Sequence, residues 1–182
     1  IFTNYDYISD STIFASVRYG NVIASRGSFI PLWIKMLQEG KKITVTSLDC
    51  TRFLFTLNDA VDTVLSALDY AEGGEVFIPK LSSYKMQSII LAVSQLYNTS
   101  VDYDVIGMRP GEKFHEDMLA ATELPFTYEK GKLLTVLPQC THKHHTYNIK
   151  YNGMEFNSSQ HVNVDVTELM RLIKRGIDES NE

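Results

Sequence analysis

The chain has 182 residues, 44% of them hydrophobic and 21% charged, an ordinary globular balance that excludes wholesale disorder and suits one domain with at most a small appendage, at roughly 150 residues per domain. A formal net charge of −5 argues against a nucleic-acid binder, because phosphate backbones call for a basic surface. Two cysteines, Cys50 and Cys140, are too few for a disulfide scaffold and fit a reducing, cytoplasmic compartment; no apolar run approaches the ~18 residues of a membrane span, and no signal peptide is visible.

Ile13 to Val17 is apolar and β-branched, a predicted buried strand running into Arg18-Tyr19-Gly20-Asn21. A helix follows, with Ser28 as its cap, Pro31 in its first turn, Gly40 at its end, and Phe29, Leu32, Trp33, Met36 and Leu37 on its apolar face. Ile43 to Thr46 reads as a short strand. Phe53, Phe55 and Leu57 alternate like a half-buried one. Asn58 is placed to cap a second helix with the face Val61, Val64, Leu65 and Leu68, closed by Gly73-Gly74. Glu75 to Pro79 is a strand. Met86, Ile89, Ile90, Val93, Leu96 and Tyr97 form a third helical stripe. Tyr103 to Ile106 is a strand ending in the turn Gly107 to Glu112, with a short helix expected through Met118. Leu133 to Leu137 reads as a strand, and 138–163 as a long polar loop or arm. Asp165 with Glu168 three residues on suggests a capping box for a last helix that buries Val166, Leu169, Met170 and Ile173 and stops at Gly176. Strands and helices alternate, so the expected class is α/β.

Four polar clusters stand out. Arg18 to Asn21 followed by Ser25-Arg26-Gly27-Ser28 places small and polar residues between a strand and a helix N-terminus, a phosphate-friendly geometry that is also an ordinary capped turn. Arg52, between Thr51 and Phe53, is either a fork for a phosphate or carboxylate or a plain surface residue. Arg109-Pro110-Gly111-Glu112-Lys113 holds a cation and an anion on a tight turn at a strand end, where ligands of α/β sheets gather; a solvated turn with an internal ion pair is equally compatible. Cys140-Thr141-His142-Lys143-His144-His145 carries zinc-type ligands, but without the spacing of a structural zinc site or a second Cys pair, so it reads as a solvated His-rich loop and no metal is assigned. There is no Walker motif, no Gly-rich dinucleotide fingerprint, no G-x-S-x-G elbow and no spacing that singles out an acid/base pair.

Taken in order, Val17 to Pro31, Gly40 to Thr46, Thr51-Arg52-Phe53, Thr56-Leu57 with Asp59 to Asp62, Gly74 to Lys80, and Ile106 to Lys113 with His115-Glu116 resemble the inverting UDP-N-acetylglucosamine 4,6-dehydratases, extended short-chain dehydrogenase/reductases of capsule and flagellin glycosylation. Residues 151–158 and Asp165-Val166 are similar, more loosely, to the C-terminal extension of the dehydratase/5-epimerase subgroup. The resemblance implies the end of a Rossmann domain over 1–28, a UDP-sugar-binding domain over 29–137 and a C-terminal extension over 138–182. It implies that Asn21 contacts the substrate's phosphate region, that Arg52 and Arg109 hold the diphosphate, that Glu112 takes the ribose hydroxyls, and that Val22, Ile23, Ala24, Ser25 and Arg26 line the NADP side of the same turn.

The family's Gly-rich loop, Tyr-x-x-x-Lys and Asp-Lys pair are expected N-terminal to this chain. It starts at Ile1, and Tyr5 and Tyr7 have Ser9 and Ser11 where lysine is needed. No catalytic residue is therefore assigned here, and the chain alone is expected to lack dehydratase activity. A parallel strand without its neighbours and an uncovered apolar face suggest a homo-oligomer or a partner chain carrying the N-terminal half. A non-catalytic UDP-sugar-binding module and one chain of a two-chain enzyme share the same binding residues and stay open as alternatives.

Overall fold

The computed structural model describes residues 3, 11–139 and 144–180; Tyr5, Tyr7 and residues 140–143 lie outside the described residues. The class is α/β, as expected. The elements are β1 (Ser16–Val17), β2 (Asn21–Val22), α1 (Phe29–Gln38), β3 (Ile43–Val45), β4 (Thr51–Phe55), α2 (Leu57–Tyr70), β5 (Val76–Pro79), β6 (Ser83–Lys85), α3 (Met86–Leu96), β7 (Tyr103–Val105), β8 (Asp117–Leu119), β9 (Thr127–Lys130), β10 (Leu133–Val136), β11 (Ile149–Lys150), β12 (Phe156–Asn157) and α4 (Val166–Glu179). Among the described residues no helix is long and apolar enough to cross a membrane.

The chain divides into two compact units built from interleaved segments: 1–19, 60–80 and 117–157 form the first, and 20–59, 81–116 and 158–182 the second. In the first unit a five-stranded sheet runs β1-β5-β10-β9-β11. β1 pairs in parallel with β5 on one side and stands at the edge of the sheet, so the predicted strand has one neighbour within the chain where none was expected, and only Ser16–Val17 of it is regular. β10 pairs antiparallel with both β5 and β9. Ala67, Phe77, Leu133 and Tyr147 form its buried cluster. No short helix leads into Met118: residues 117–119 instead form β8, antiparallel to β12, and a 3₁₀ turn follows over Ala121–Phe126.

That turn is tied down by an ion pair. Arg18 donates to Glu123 through both Nη atoms, at 2.7 and 2.5 Å, and to the Met118 carbonyl at 2.9 Å. The Arg18 hydrogen bond holds the Glu123 carboxyl below its ordinary range, against the effect of burial and with help from the Ala120 N–H. A carboxyl depressed in the folded state stabilises the fold fully above its unfolded value of about 4.3, and loses that contribution as pH falls through the lower folded value. Denaturation midpoints of the native chain and Glu123→Gln are therefore expected to differ at pH 6 and to converge toward pH 3. A pH-independent difference would mean that the ion pair contributes nothing.

In the second unit β4 is the central strand of the sheet β2-β4-β6, parallel to β2 and antiparallel to β6. Phe53, Leu54 and Phe55 are all buried. The expected half-buried alternation is therefore replaced by a strand covered on both faces, as suits a central position. β3 pairs in parallel with β7. Ile30 and Trp33 of α1, Ile89, Ala92 and Val93 of α3, and Leu169 and Ile173 of α4 share one core.

Several local readings need correction. Ser28 occupies the N-cap of α1 without capping through its side chain, and Leu32 faces solvent while Ile30 and Trp33 take the core positions. α2 begins two residues earlier than expected: Thr56 and Asp59, not Asn58, make the reciprocal bonds at its start, at 3.2 and 3.3 Å. Its stripe of Val61, Val64, Leu65 and Leu68 is exposed, and the small residues Ala60, Thr63 and Ala67 are the buried ones. In α4 the Asp165 side chain accepts from Thr167 and Glu168 N–H, but Glu168 binds Asn163 rather than closing a box. The helix also continues past Gly176 to Glu179.

Candidate functional site

The second unit brings the side chains of Arg52, Glu112 and Asn21 together around β4, and Arg109 reaches them through its backbone. Arg52 projects from this strand with its side chain only 11% exposed. Its guanidinium donates to the carbonyls of Thr51 and Phe114, at 2.8 and 3.3 Å, and to Glu112 Oε1 at 2.9 Å. Glu112 also accepts from the Thr46 hydroxyl at 3.0 Å. Arg109 lies on the exposed loop after β7, and its backbone N–H reaches Glu112 Oε2 at 3.4 Å. The turn expected from Arg109-Pro110-Gly111-Glu112 thus folds its carboxylate back onto Arg52. The ion pair inside the turn is replaced by one to the neighbouring strand.

Asn21 joins this cluster through a residue to which sequence reasoning gave no role. Its side-chain amide donates to both oxygens of Glu116, at 2.9 and 3.0 Å, and to the Phe53 carbonyl at 3.2 Å. Glu116 Oε2 takes the Phe53 N–H at 2.9 Å, and Oε1 lies 3.9 Å from Arg52 Nε. Buried Ser158 completes the support: its hydroxyl is 2.6 Å from Thr51 Oγ1 and accepts the Glu116 N–H at 2.7 Å, while its carbonyl accepts from Ser83. Thr51 in turn meets His115 Nδ1 at 2.8 Å. Gly20 allows β2 to approach β4, since a Cβ there would come within 2.9 Å of the Phe53 carbonyl oxygen.

The five residues expected on the cofactor side form the turn from β2 into α1. Ile23 N–H donates to Phe55 O at 2.9 Å and Ser28 N–H to Ser25 O at 3.0 Å. Ala24 takes the left-handed conformation at φ 59°, uncommon outside glycine and a mark of local strain, and Gly27 follows at φ 81°. A cleft of about 260 Å³ opens at the start of α1. Asn21, Val22, Ile23 and Ser25 line it, whereas Ala24 and Arg26 belong to the turn but not to its lining. Ile23 is at the same time a core residue, 2% exposed. Ser28 Oγ, also at the cleft, is buried without a hydrogen-bond partner among the described residues. An orphaned hydroxyl beside the unpaired N–H groups of a helix start is suited to a polar or anionic group.

Residues 1–138 match the polysaccharide biosynthesis protein family, and the chain belongs to it. Over 124 residues it is 38% identical to a UDP-glucose 4-epimerase of Rickettsia bellii, a stretch that covers 68% of this chain and 36% of that protein. It is also 38% identical over 128 residues to the UDP-N-acetylglucosamine 4,6-dehydratase (inverting) of Campylobacter jejuni, covering 70% and 37%. The solved structure of Pen from Bacillus thuringiensis superposes with a TM-score of 0.82 at 29% identity, over 96% of this chain and 53% of that one. The matched part is thus a little over a third of these curated relatives' length. The family is the one in which the ordered motifs placed the chain.

Proposed function

We propose that the chain provides the UDP-sugar-binding part of a nucleotide-sugar 4,6-dehydratase/5-epimerase that acts on UDP-N-acetylglucosamine. The observation that carries the reading is the gathering of Arg52, Glu112 and the Arg109 loop at one end of β4. In the free protein Glu112 occupies the fork of Arg52. A diphosphate brings charge that competes for the same donors. Arg52 and Arg109 then hold its oxygens, and the released Glu112 carboxylate accepts from the ribose hydroxyls. Asn21, fixed by Glu116, orients the adjoining phosphate.

The residues from Val22 to Arg26 fit one side of NADP: the turn borders an anion-suited helix start with an orphaned hydroxyl at Ser28. When bound, that cofactor would supply hydride acceptor and donor chemistry for the sugar. The chain's own groups bind and orient; none is assigned the proton transfers. The exposed stripe of α2, with Val61, Val64, Leu65 and Leu68 more than two-fifths exposed, supports a further part of the reading: association with a second copy or with a chain carrying the N-terminal half.

Arg109→Glu tests the site. The side chain is exposed, so the fold is expected to survive. Calorimetric titration with UDP-N-acetylglucosamine should show binding weakened roughly 100-fold, the equivalent of one or two charge-assisted hydrogen bonds lost and a repulsion added. Unchanged binding with an intact circular dichroism spectrum would remove Arg109 from the site.

A further inference from the structure

The geometry points to a binding site for a divalent transition-metal ion in the first unit, formed by Glu72, Glu75 and His145. One ligand atom from each lies within 4.8 Å of the other two. Glu75 is fully buried at the entry to β5, and the His145 side chain is 6% exposed. Neither His145 ring nitrogen has a hydrogen-bond partner among the described residues. A buried imidazole left unpaired on both sides is costly unless something else engages it.

The distances narrow what that is. Nδ1 lies 3.4 Å from Glu75 Oε1 and 3.7 Å from Glu72 Oε2, long for hydrogen bonds. Two ligands of one tetrahedral zinc, each at about 2.0–2.1 Å from the ion, stand roughly 3.4 Å apart. One imidazole and two carboxylates form a nitrogen–oxygen set suited to zinc or a neighbouring first-row ion, rather than to magnesium, which prefers oxygen alone.

The site is also held from both sides. The Glu75 carboxylate accepts the N–H groups of Glu72 and Gly73 at 2.7 and 2.8 Å, which fixes the turn. The Thr146 N–H and hydroxyl donate to Glu72, and the Tyr147 hydroxyl donates to the Tyr70 carbonyl at 2.7 Å; these bonds hold the histidine segment against the turn. One cation already approaches: Lys130 Nζ is 3.7 Å from Glu72 Oε1 and lies over the Tyr147 ring at 4.6 Å. It competes with an added ion for Glu72.

Zinc chloride titrated into the metal-stripped protein tests the site, read by calorimetry and by thermal denaturation. Zinc should bind and raise the melting temperature where magnesium does not. Glu72→Gln and His145→Gln should each weaken zinc binding at least tenfold, whereas Lys130→Met, by removing the competitor, should strengthen it. The proposal fails if zinc does not bind, or if it binds equally well to both weakened variants.

Discussion

Glu116→Ala should destabilise the protein by about 1–3 kcal/mol, the cost of taking a carboxylate acceptor away from partly buried donors. Three donors converge on this carboxylate: the Asn21 amide, the Phe53 N–H and, more distantly, Arg52. Arg52 keeps Glu112 and two carbonyls. The Phe53 N–H, in a fully buried residue of a central strand, loses this carboxylate acceptor. Glu116→Gln retains one acceptor oxygen and is expected to lose roughly half as much. Urea denaturation of the two variants and the native chain measures the order. A loss below about 1 kcal/mol in Glu116→Ala would show that water satisfies these donors. The same variant should weaken UDP-sugar binding even where it folds, because Asn21 loses its anchor.

Gly176→Ala is expected to invert a usual gain. Inside a helix this change normally stabilises by about 1 kcal/mol. Here the new Cβ would lie 2.6 Å from Ile23 Cγ2 and 2.8 Å from Ile23 Cβ. Ile23 is buried in the main core and cannot swing aside. Overpacking of this kind costs about 1–3 kcal/mol, so the net effect is a loss, larger still for Gly176→Val. Thermal denaturation decides the sign. On an Ile23→Ala background, where Cγ2 is gone, the penalty should shrink; an unchanged penalty would assign it to the position 23 Cβ, which alanine retains at 2.8 Å.

The same glycine shows how far the sequence carries. Gly176 reads as a helix stop because glycine is common just beyond a helix end, whereas its role is to let α4 touch Ile23. Strands β5 and β10 and helices α1 and α3 were legible because their apolar runs have clear periods and visible ends. The outward stripe of α2 was misread because periodicity reveals a stripe but not which side is covered; there the small residues pack inward. At the site, Arg52, Arg109 and Glu112 were singled out from charged residues on strands and turns. Glu116 and Ser158 were missed as supports, since Ser158 reaches Thr51 across 107 positions and its pattern is that of an ordinary polar loop residue. His145 lies in a Cys/His-rich run that lacks the spacing of a structural zinc site and a second Cys pair, and its two glutamates come from a turn about seventy residues earlier.

The interleaving of the two units has a kinetic consequence. The chain leaves one unit for the other after Tyr19, Asp59, Lys80, Glu116 and Asn157, and the second unit's core is closed only by Leu169 and Ile173 near the C-terminus. During synthesis, β4 and α3 therefore emerge well before the helix that covers them. A ribosome making roughly 5–20 residues per second leaves their apolar faces waiting for several seconds. Folding of this unit therefore waits on α4: the core of β4 and α3 can shut only once that helix has emerged to supply Leu169 and Ile173.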